Sequence, residues 1–174
     1  LSEKRISVPE LNMEVAAQKG FSVIATANTR DKGVNEMSAA LKRRFNIVVL
    51  PAPADLESEM EIVRTRVAQL SAGLDLNAEL PEDNVVERVC TIFRELRNGE
   101  TCDRSQKVKS TSGVLSTAEA ISLLCNSMAL AGSFGNGTIS EEDLAAGLQG
   151  AIIKEEEKDN VAWKEYLENV MKKR

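Results

Sequence analysis

An asparagine and a pair of arginines are the residues of this chain best suited to act on a phosphate. Asn28 directly follows the apolar run 21–27, and Arg43 and Arg44 follow a short segment of helical character, 38–42. An amide side chain donates and accepts hydrogen bonds at once, as orienting a water against a phosphate requires. A guanidinium offers a fork of donors to phosphate oxygens. Taken alone, each also has a structural interpretation, since asparagine suits a turn after a strand and arginine suits the carboxyl end of a helix.

Other catalytic chemistry is limited by what the sequence lacks. The chain contains no histidine, the commonest metal ligand and the commonest general base at neutral pH. It has no Gly-x-x-x-x-Gly-Lys-[Ser/Thr] segment, and no strand-like run ends in the acidic pair that holds Mg²⁺. The glycine-rich stretch 132–137 follows a helical segment and lacks the lysine, which predicts a turn between helices. We therefore expect this chain by itself not to hydrolyse ATP.

Composition and charge narrow the class of protein. Of its 174 residues, 43% are hydrophobic but only 3% are aromatic, which favours helix-on-helix packing over a β-sandwich. The net charge of −5 argues against nucleic acid as a partner. The apolar run 114–132 is interrupted by polar residues, so we expect a buried helix and no membrane span. Three widely spaced cysteines, Cys90, Cys102 and Cys125, favour reduced thiols in a cytoplasmic protein.

The elements that must position the polar residues begin with an α/β pattern. Loose alternation predicts a β-hairpin over 5–17. The runs 21–27 and 45–50 have almost no polar face, which predicts strands buried on both sides, as in a parallel sheet. Strand, turn, helix and strand within about 30 residues is the size of a βαβ unit. Asn28 would then lie at the carboxyl end of a strand, where open α/β sheets bind their ligands.

After Pro53 every segment has helical periodicity. Asp55 is predicted to cap the first of these helices, and a second is predicted over 82–98. The Ser116 to Glu119 spacing is that of a capping box, and a similar box starts a later helix. The predicted architecture is therefore a remnant of an α/β sheet followed by a helical bundle.

Three features occur in order along the chain. They are Leu-Ser-Glu-Lys-Arg at 1–5 before the predicted hairpin, then Phe-Ser-Val-Ile-Ala-Thr-Ala-Asn at 21–28, and then Ala-Leu-Lys-Arg-Arg-Phe at 40–45 before a strand and prolines. Together they resemble the second half of the ATPase core in the MoxR-type and midasin-like branch of the AAA+ ATPases. The resemblance implies that 1–53 is the C-terminal part of an AAA+ αβα core, with a β-hairpin and two buried strands. It implies that 54–174 is the helical lid domain with the C-terminal helices.

The same resemblance implies roles for the three polar residues. Asn28 matches the sensor-1 asparagine, which aligns the attacking water. Arg44 matches the arginine finger, which acts in trans on the nucleotide of a neighbouring subunit. Arg43 is a second candidate for the finger, or a support for it.

The helical part departs from the family pattern at one position. Relatives commonly carry a sensor-2 arginine where this chain has Ala118, which puts a contact from the lid to the γ-phosphate in doubt. Lys107 or Lys109 could replace it from a loop, although a lysine in a polar loop is more commonly solvated.

By resemblance, the full-length protein would bind ATP and Mg²⁺ between the subunits of a ring, a hexamer, and couple hydrolysis to remodelling a client protein. A partner with a von Willebrand A domain is an expectation from the family, and this fragment alone is expected to bind neither ATP nor Mg²⁺. The alternative is a catalytically inert helical module that binds a partner protein. A chelatase-type metal inserter would share the core and differ in its client.

Overall fold

The computed structural model describes most of the chain. The described residues are 4–27, 38–74, 76–113 and 115–173. The chain divides into two compact units, Leu1–Val49 and Leu50–Arg174.

The first unit contains an antiparallel hairpin. Strand β1 (Arg5–Val8) pairs with strand β2 (Met13–Ala16), and a 3-10 turn, Pro9–Leu11, connects them. Asn12 closes the turn with a left-handed backbone, φ 47°, a conformation that asparagine tolerates better than most residues. The predicted hairpin is confirmed.

The two runs predicted as buried strands require a correction. Segments 21–27 and 45–50 have no regular secondary structure and are almost entirely exposed, with Ile24 at 94% and Val49 at 82%. Among the described residues, β1 and β2 are the only strands that pair in a sheet. An apolar run becomes a buried strand only where neighbouring strands accept its hydrogen bonds and other elements cover its faces. The apolar pattern shows that these segments could be buried, but it does not show whether the neighbouring strands and covering elements are present.

A short helix, α1 (Ala39–Lys42), follows in the first unit. Ser38 is its N-cap, and the Ser38 hydroxyl oxygen accepts a hydrogen bond of 3.2 Å from the backbone N–H of Leu41. The helix confirms the helical character predicted at 38–42.

The second unit is helical, as predicted. Its described residues form five α-helices, which are α2 (Leu56–Ser71), α3 (Asp83–Asn98), α4 (Thr117–Phe134), α5 (Glu141–Ile152) and α6 (Glu156–Asn169). None of the helices among the described residues combines the length and the apolar character that crossing a membrane demands.

Local capping explains where these helices begin. The Asp55 carboxylate accepts the N–H of Ser58 at 2.8 Å and so caps α2. Ser116 and Glu119 form a complete capping box at the start of α4, and α5 starts with a second one. Gly99 ends α3 in the left-handed conformation that glycine adopts without strain. The predicted caps are confirmed, although α4 continues into the glycine-rich stretch that was predicted to be a turn.

The core of the second unit lies between these helices. Fully buried side chains include Val63 on α2, Phe93 on α3, Leu124 on α4 and Tyr166 on α6. Burying each large apolar side chain contributes about 1.5–3 kcal/mol relative to leaving it exposed. The Tyr166 ring stacks on Trp163 with ring centroids 5.8 Å apart. This packing holds the helices in one body.

Candidate functional site

The arginine pair lies at the carboxyl end of α1. Arg43 is the C-cap of the helix, and its backbone N–H donates to the Ala39 carbonyl at 3.1 Å. The backbone N–H of Arg44 donates to the Leu41 carbonyl at 3.0 Å. Both arginine side chains are exposed, while Phe45 is half-buried. The helix end thus fixes the backbone of the two arginines and leaves their guanidinium groups facing solvent.

Chemically, this arrangement suits an anion brought by another molecule. Within the described residues no ion pair engages the side chain of Arg43 or Arg44. An exposed guanidinium keeps its donors free for phosphate oxygens. Asn28 lies outside the described residues, so its sensor-1 role stays a prediction.

The position predicted to lack the sensor-2 arginine is on the surface. Ala118 lies in the first turn of α4 and is exposed. Of the two lysines that could replace an arginine there, Lys109 is engaged elsewhere, because its ammonium pairs with Glu165 of α6 at 2.5 Å. Lys107 is exposed, and its backbone forms an isolated bridge with Glu100. The structure therefore holds Lys109 against α6.

Beneath the first turn of α4 lies a buried cluster of charges that the sequence patterns did not predict. Glu59 of α2 is fully buried, and two arginines of α3 share its Oε2 atom, Arg94 at 2.9 Å and Arg97 at 2.8 Å. The Thr117 hydroxyl of α4 donates to Oε1 of Glu59 at 2.9 Å. We call these four residues the Glu59 cluster. It joins three helices through one carboxylate.

The cluster also holds two stretches of backbone. Arg94 donates to three consecutive carbonyls, those of residues 53, 54 and 55, at 3.1, 2.9 and 3.2 Å. Arg97 donates to the Leu115 carbonyl at 2.8 Å. Burial alone would raise the pKa of Glu59, but hydrogen bonds from Arg97, Arg94 and Thr117 outweigh it and lower that pKa. An ionised carboxylate so fully coordinated serves structure and is unsuited to act as a general base.

One signal in the sequence could have revealed the cluster. Glu59 falls on the inward stripe of α2, at helical spacing with the buried residues Val63 and Val67. A buried glutamate requires a cationic or hydrogen-bonding partner. Arg94 and Arg97, one turn apart on the next helix, are the matching pair.

Two further buried carboxylates are also satisfied by the protein. Glu95 of α3 accepts hydrogen bonds from the Tyr166 hydroxyl at 2.6 Å and from the Cys102 backbone at 2.8 Å. Asp159 accepts both the N–H and the hydroxyl of Ser112 at 2.7 Å. Because both carboxylates are engaged inside the helical unit, neither is a candidate acid or base.

Backbone donors complete the site of Asp159. The N–H groups of Lys154 and Glu155 donate to its Oδ2 atom at 2.8 and 2.7 Å. Burial raises the pKa of Asp159, but the hydrogen bonds from Glu155, Ser112 and Lys154 prevail and lower it to about 2. Asp159 therefore stays ionised and pins the start of α6 to the loop before α4.

The described residues offer groups that suit the phosphates of a nucleotide but no group that suits a metal ion. The exposed guanidinium groups of Arg43 and Arg44 have the right chemistry for phosphate oxygens. In the parts of the chain that the structure describes, no group of three or more acidic, cysteine or histidine side chains could hold a metal ion. Two adjoining shallow grooves, of about 240 and 400 Å³, share Ala68 and Leu80 and are lined mainly by apolar residues of α2 and the segment after it. The second groove includes Arg64, but its guanidinium is already paired with Glu57 at 3.3 Å and with Asp83 at 2.8 Å. Neither groove therefore offers a phosphate an uncommitted cation.

Comparison with known proteins agrees with this architecture. Residues 1–45 match the family of AAA domains of the dynein-related subfamily, and residues 57–174 match the YehL-like AAA+ ATPase C-terminal domain. A hairpin unit followed by a helical lid, with both parts matched in this order, defines the chain as part of an AAA+ ATPase. Because the second match covers more than half of its length, the chain belongs to the YehL-like AAA+ ATPase family.

A curated relative shows a likeness across both units. The chain is 37% identical over 172 residues, 97% of its length, to the uncharacterized protein YehL of Escherichia coli strain K12. It spans 46% of the length of that relative. No solved structure matches the chain.

Proposed function

We propose that the whole protein is a ring-forming ATPase of the MoxR-type branch, which hydrolyses ATP at the interfaces between its subunits. The observation that carries the proposal is the exposed arginine pair fixed at the end of α1 in a chain of the AAA+ family. The free energy of hydrolysis would be used to remodel or activate a client protein. A hexamer is the ring that the family resemblance favours, and a von Willebrand A-domain protein is its proposed partner.

In this proposal Arg44 is the arginine finger. Its guanidinium would reach the γ-phosphate bound by the neighbouring subunit and stabilise the charge that develops in the transition state. Arg43, one residue earlier, supports it or shares that contact. Asn28 orients the attacking water, and Ala118 leaves the lid without a sensor-2 cation at that position.

ATP and Mg²⁺ need groups that this sequence lacks. It contains neither a phosphate loop nor a strand-like run that ends in an acidic pair. The contribution of this chain is therefore donation to phosphate from Arg44 and alignment of water by Asn28. The lid would hold the subunits in the orientation in which the finger reaches its target.

The test is steady-state ATP turnover by the complete protein and by three variants. Arg44→Ala is expected to lower turnover per subunit at least ~100-fold, with ring assembly by light scattering and ATP affinity unchanged. Arg43→Ala separates the two arginines, and a much smaller loss would assign the finger to Arg44. Arg5→Ala is the matched control, because Arg5 is exposed in the same unit and pairs only loosely with Glu14, at 3.4 Å.

A mixing experiment tests action in trans. Rings assembled from Arg44→Ala subunits and Asn28→Ala subunits contain some interfaces where an intact asparagine faces an intact arginine. Partial recovery of turnover on mixing supports a finger that acts across the interface. Unchanged turnover in Arg44→Ala would overturn the assignment, and no turnover in the unmodified complete protein would favour the catalytically inert interaction module.

A further inference from the structure

The Glu59 cluster binds two stretches of chain that are far apart in sequence. One is the leading segment 53–55, whose carbonyls accept from Arg94, and the other is the start of α4, held through the Leu115 carbonyl and the Thr117 hydroxyl. Both stretches lie in the helical unit. Both are connected to the Glu59 carboxylate, the first through Arg94 and the second through Arg97 and Thr117.

The way the carboxylate is shared makes the two arginines interdependent. Arg94 and Arg97 both donate to Oε2 of Glu59, at 2.9 and 2.8 Å, and Arg97 also reaches Oε1 at 3.2 Å. Thr117 donates to the same Oε1 at 2.9 Å. Since one oxygen serves two guanidinium groups, a shift of either group changes the position of the carboxylate that the other group requires.

The charge balance reinforces this dependence. Two guanidinium groups, each 13% exposed, face one fully buried carboxylate, which leaves an excess positive charge in a poorly solvated site. The carbonyl dipoles of residues 53 to 55 and of Leu115 compensate that excess. If the carbonyls of residues 53 to 55 were lost, more of the excess charge would therefore have to be compensated by the Leu115 carbonyl, and the reverse holds if the Leu115 carbonyl were lost.

We infer that the Glu59 cluster is a latch that couples the leading segment 53–55 to the first turn of α4, so that loosening one of them loosens the other. The coupling is a property of the helical unit and does not rest on the proposed ATPase activity. It gives Arg94 and Arg97 positioning roles beyond the segments that each contacts directly.

Hydrogen exchange of the chain, followed by NMR at single amides, tests the latch. The amides of Ser58 and Glu59 report on the leading segment because both bond to Asp55, and those of Glu119 and Ala120 report on the start of α4 because both bond to Ser116. Arg94→Gln is expected to speed exchange at the α4 amides at least ~3-fold, although Arg94 makes no contact there. Arg97→Gln is expected to do the same at the Ser58 amide, which bonds to Asp55, a residue that Arg97 does not contact.

Arg88→Gln is the matched control, since Arg88 also lies on α3 but pairs with Glu141 at the surface. It should leave exchange at both sets of amides unchanged. If each variant changed exchange only at the segment that the substituted residue contacts, the two segments would be held independently, and that result would overturn the latch. Equal acceleration throughout α5 and α6 would also overturn it, because that result means global destabilisation.

Thr117→Val keeps the experiment decisive if the glutamine variants do not fold. Valine retains the branched shape of threonine and removes only the hydroxyl that bonds Glu59, so both arginines stay in place. Faster exchange at the Ser58 amide, which bonds to Asp55 and lies outside the contacts of Thr117, supports the latch. Unchanged exchange there overturns it.

Discussion

The hydroxyl of Tyr166 donates a hydrogen bond of 2.6 Å to the carboxylate of Glu95, and both side chains are buried. This bond joins α6 to α3. Tyr166→Phe removes the donor and keeps the ring that stacks on Trp163. We expect the free energy of unfolding to fall by about 1–3 kcal/mol, because a buried carboxylate loses one of its hydrogen-bond donors. Urea denaturation followed by circular dichroism measures the change.

A surface hydroxyl provides the control for Tyr166→Phe. Thr138 donates to the exposed Glu79 at 3.4 Å, and Thr138→Val should change the free energy of unfolding by less than ~0.5 kcal/mol. Equal stability of Tyr166→Phe and the unmodified chain would show that the Tyr166 hydroxyl contributes nothing to the packing of α6 on α3.

Asp159 should make the helical unit sensitive to acid. Its pKa in the folded chain is lowered from the ordinary value of 3.8 to about 2, so the unfolded chain takes up a proton at a higher pH than the folded chain. The stabilisation is therefore complete above about pH 4 and is lost as the pH falls towards 2. We expect Asp159→Asn to cost about 2 kcal/mol at pH 7 and progressively less below pH 4. Urea titrations of both proteins across this pH range measure the difference.

A less buried capping carboxylate separates this effect from general acid sensitivity. Asp143 of the second capping box also has a lowered pKa, caused by hydrogen bonds from Ser140, but it is only half-buried, whereas Asp159 is fully buried. Asp143→Asn should therefore alter the pH profile less than Asp159→Asn does. A constant difference between Asp159→Asn and the unmodified chain from pH 7 to pH 2 would contradict the assignment.

The three cysteines should differ in reactivity. Cys102 is exposed, whereas Cys90 is fully buried, and burial together with the charge of Glu59 raises the pKa of Cys90 to about 12. Burial also raises the pKa of the half-buried Cys125. A maleimide at pH 7 should therefore modify Cys102 first and Cys90 at least ~100-fold more slowly, after local or global opening. Mass spectrometry of the labelled peptides resolves the three rates.

Cys102→Ser gives the control for this experiment, because it should abolish the fast phase and leave the slower ones. Modification of Cys90 at the rate of Cys102 in the folded chain would contradict the buried position of Cys90 in the core.

Local signals in the sequence were sufficient for much of the helical unit. Asp55, Ser116 and Gly99 act on backbone groups within a few residues of themselves, so their effect can be predicted without knowing the fold. The runs 21–27 and 45–50 behave differently. Their apolar character required partners from elsewhere, and the pattern carries no information on whether partners are present.

In the candidate site, too, the features that depend on local sequence were predictable and those that depend on tertiary packing were not. The place of Arg44 at the end of a short helix was predictable because capping and periodicity define that helix end. The Glu59 cluster was not predicted, because residues 59, 94 and 117 meet only after three helices have packed. A catalytic role for Arg44 needs still more than the fold, since it depends on a second subunit and its nucleotide.

The boundary of the helical unit gives a final prediction. The compact unit begins at Leu50, while the match to the family C-terminal domain begins at residue 57. A fragment of residues 50–174 should fold cooperatively, because the buried apolar cluster lies within it. A fragment of 57–174 lacks the Asp55 cap and the carbonyls that Arg94 binds, so we expect its free energy of unfolding to be about 1–3 kcal/mol lower.

Urea denaturation of purified fragments measures this difference, and a fragment of 53–174 is the matched control. It keeps the Asp55 carboxylate and all three carbonyls that Arg94 binds, so its stability should lie within ~0.5 kcal/mol of the 50–174 fragment. A fragment of 54–174 lacks only the Pro53 carbonyl among the three that Arg94 binds. We expect this fragment to lose the smaller part of the free energy of unfolding that the 57–174 fragment loses. If 57–174 were as stable as 50–174, the bonds from Arg94 to the leading segment would contribute no net stability, and the helical unit would begin at α2 itself.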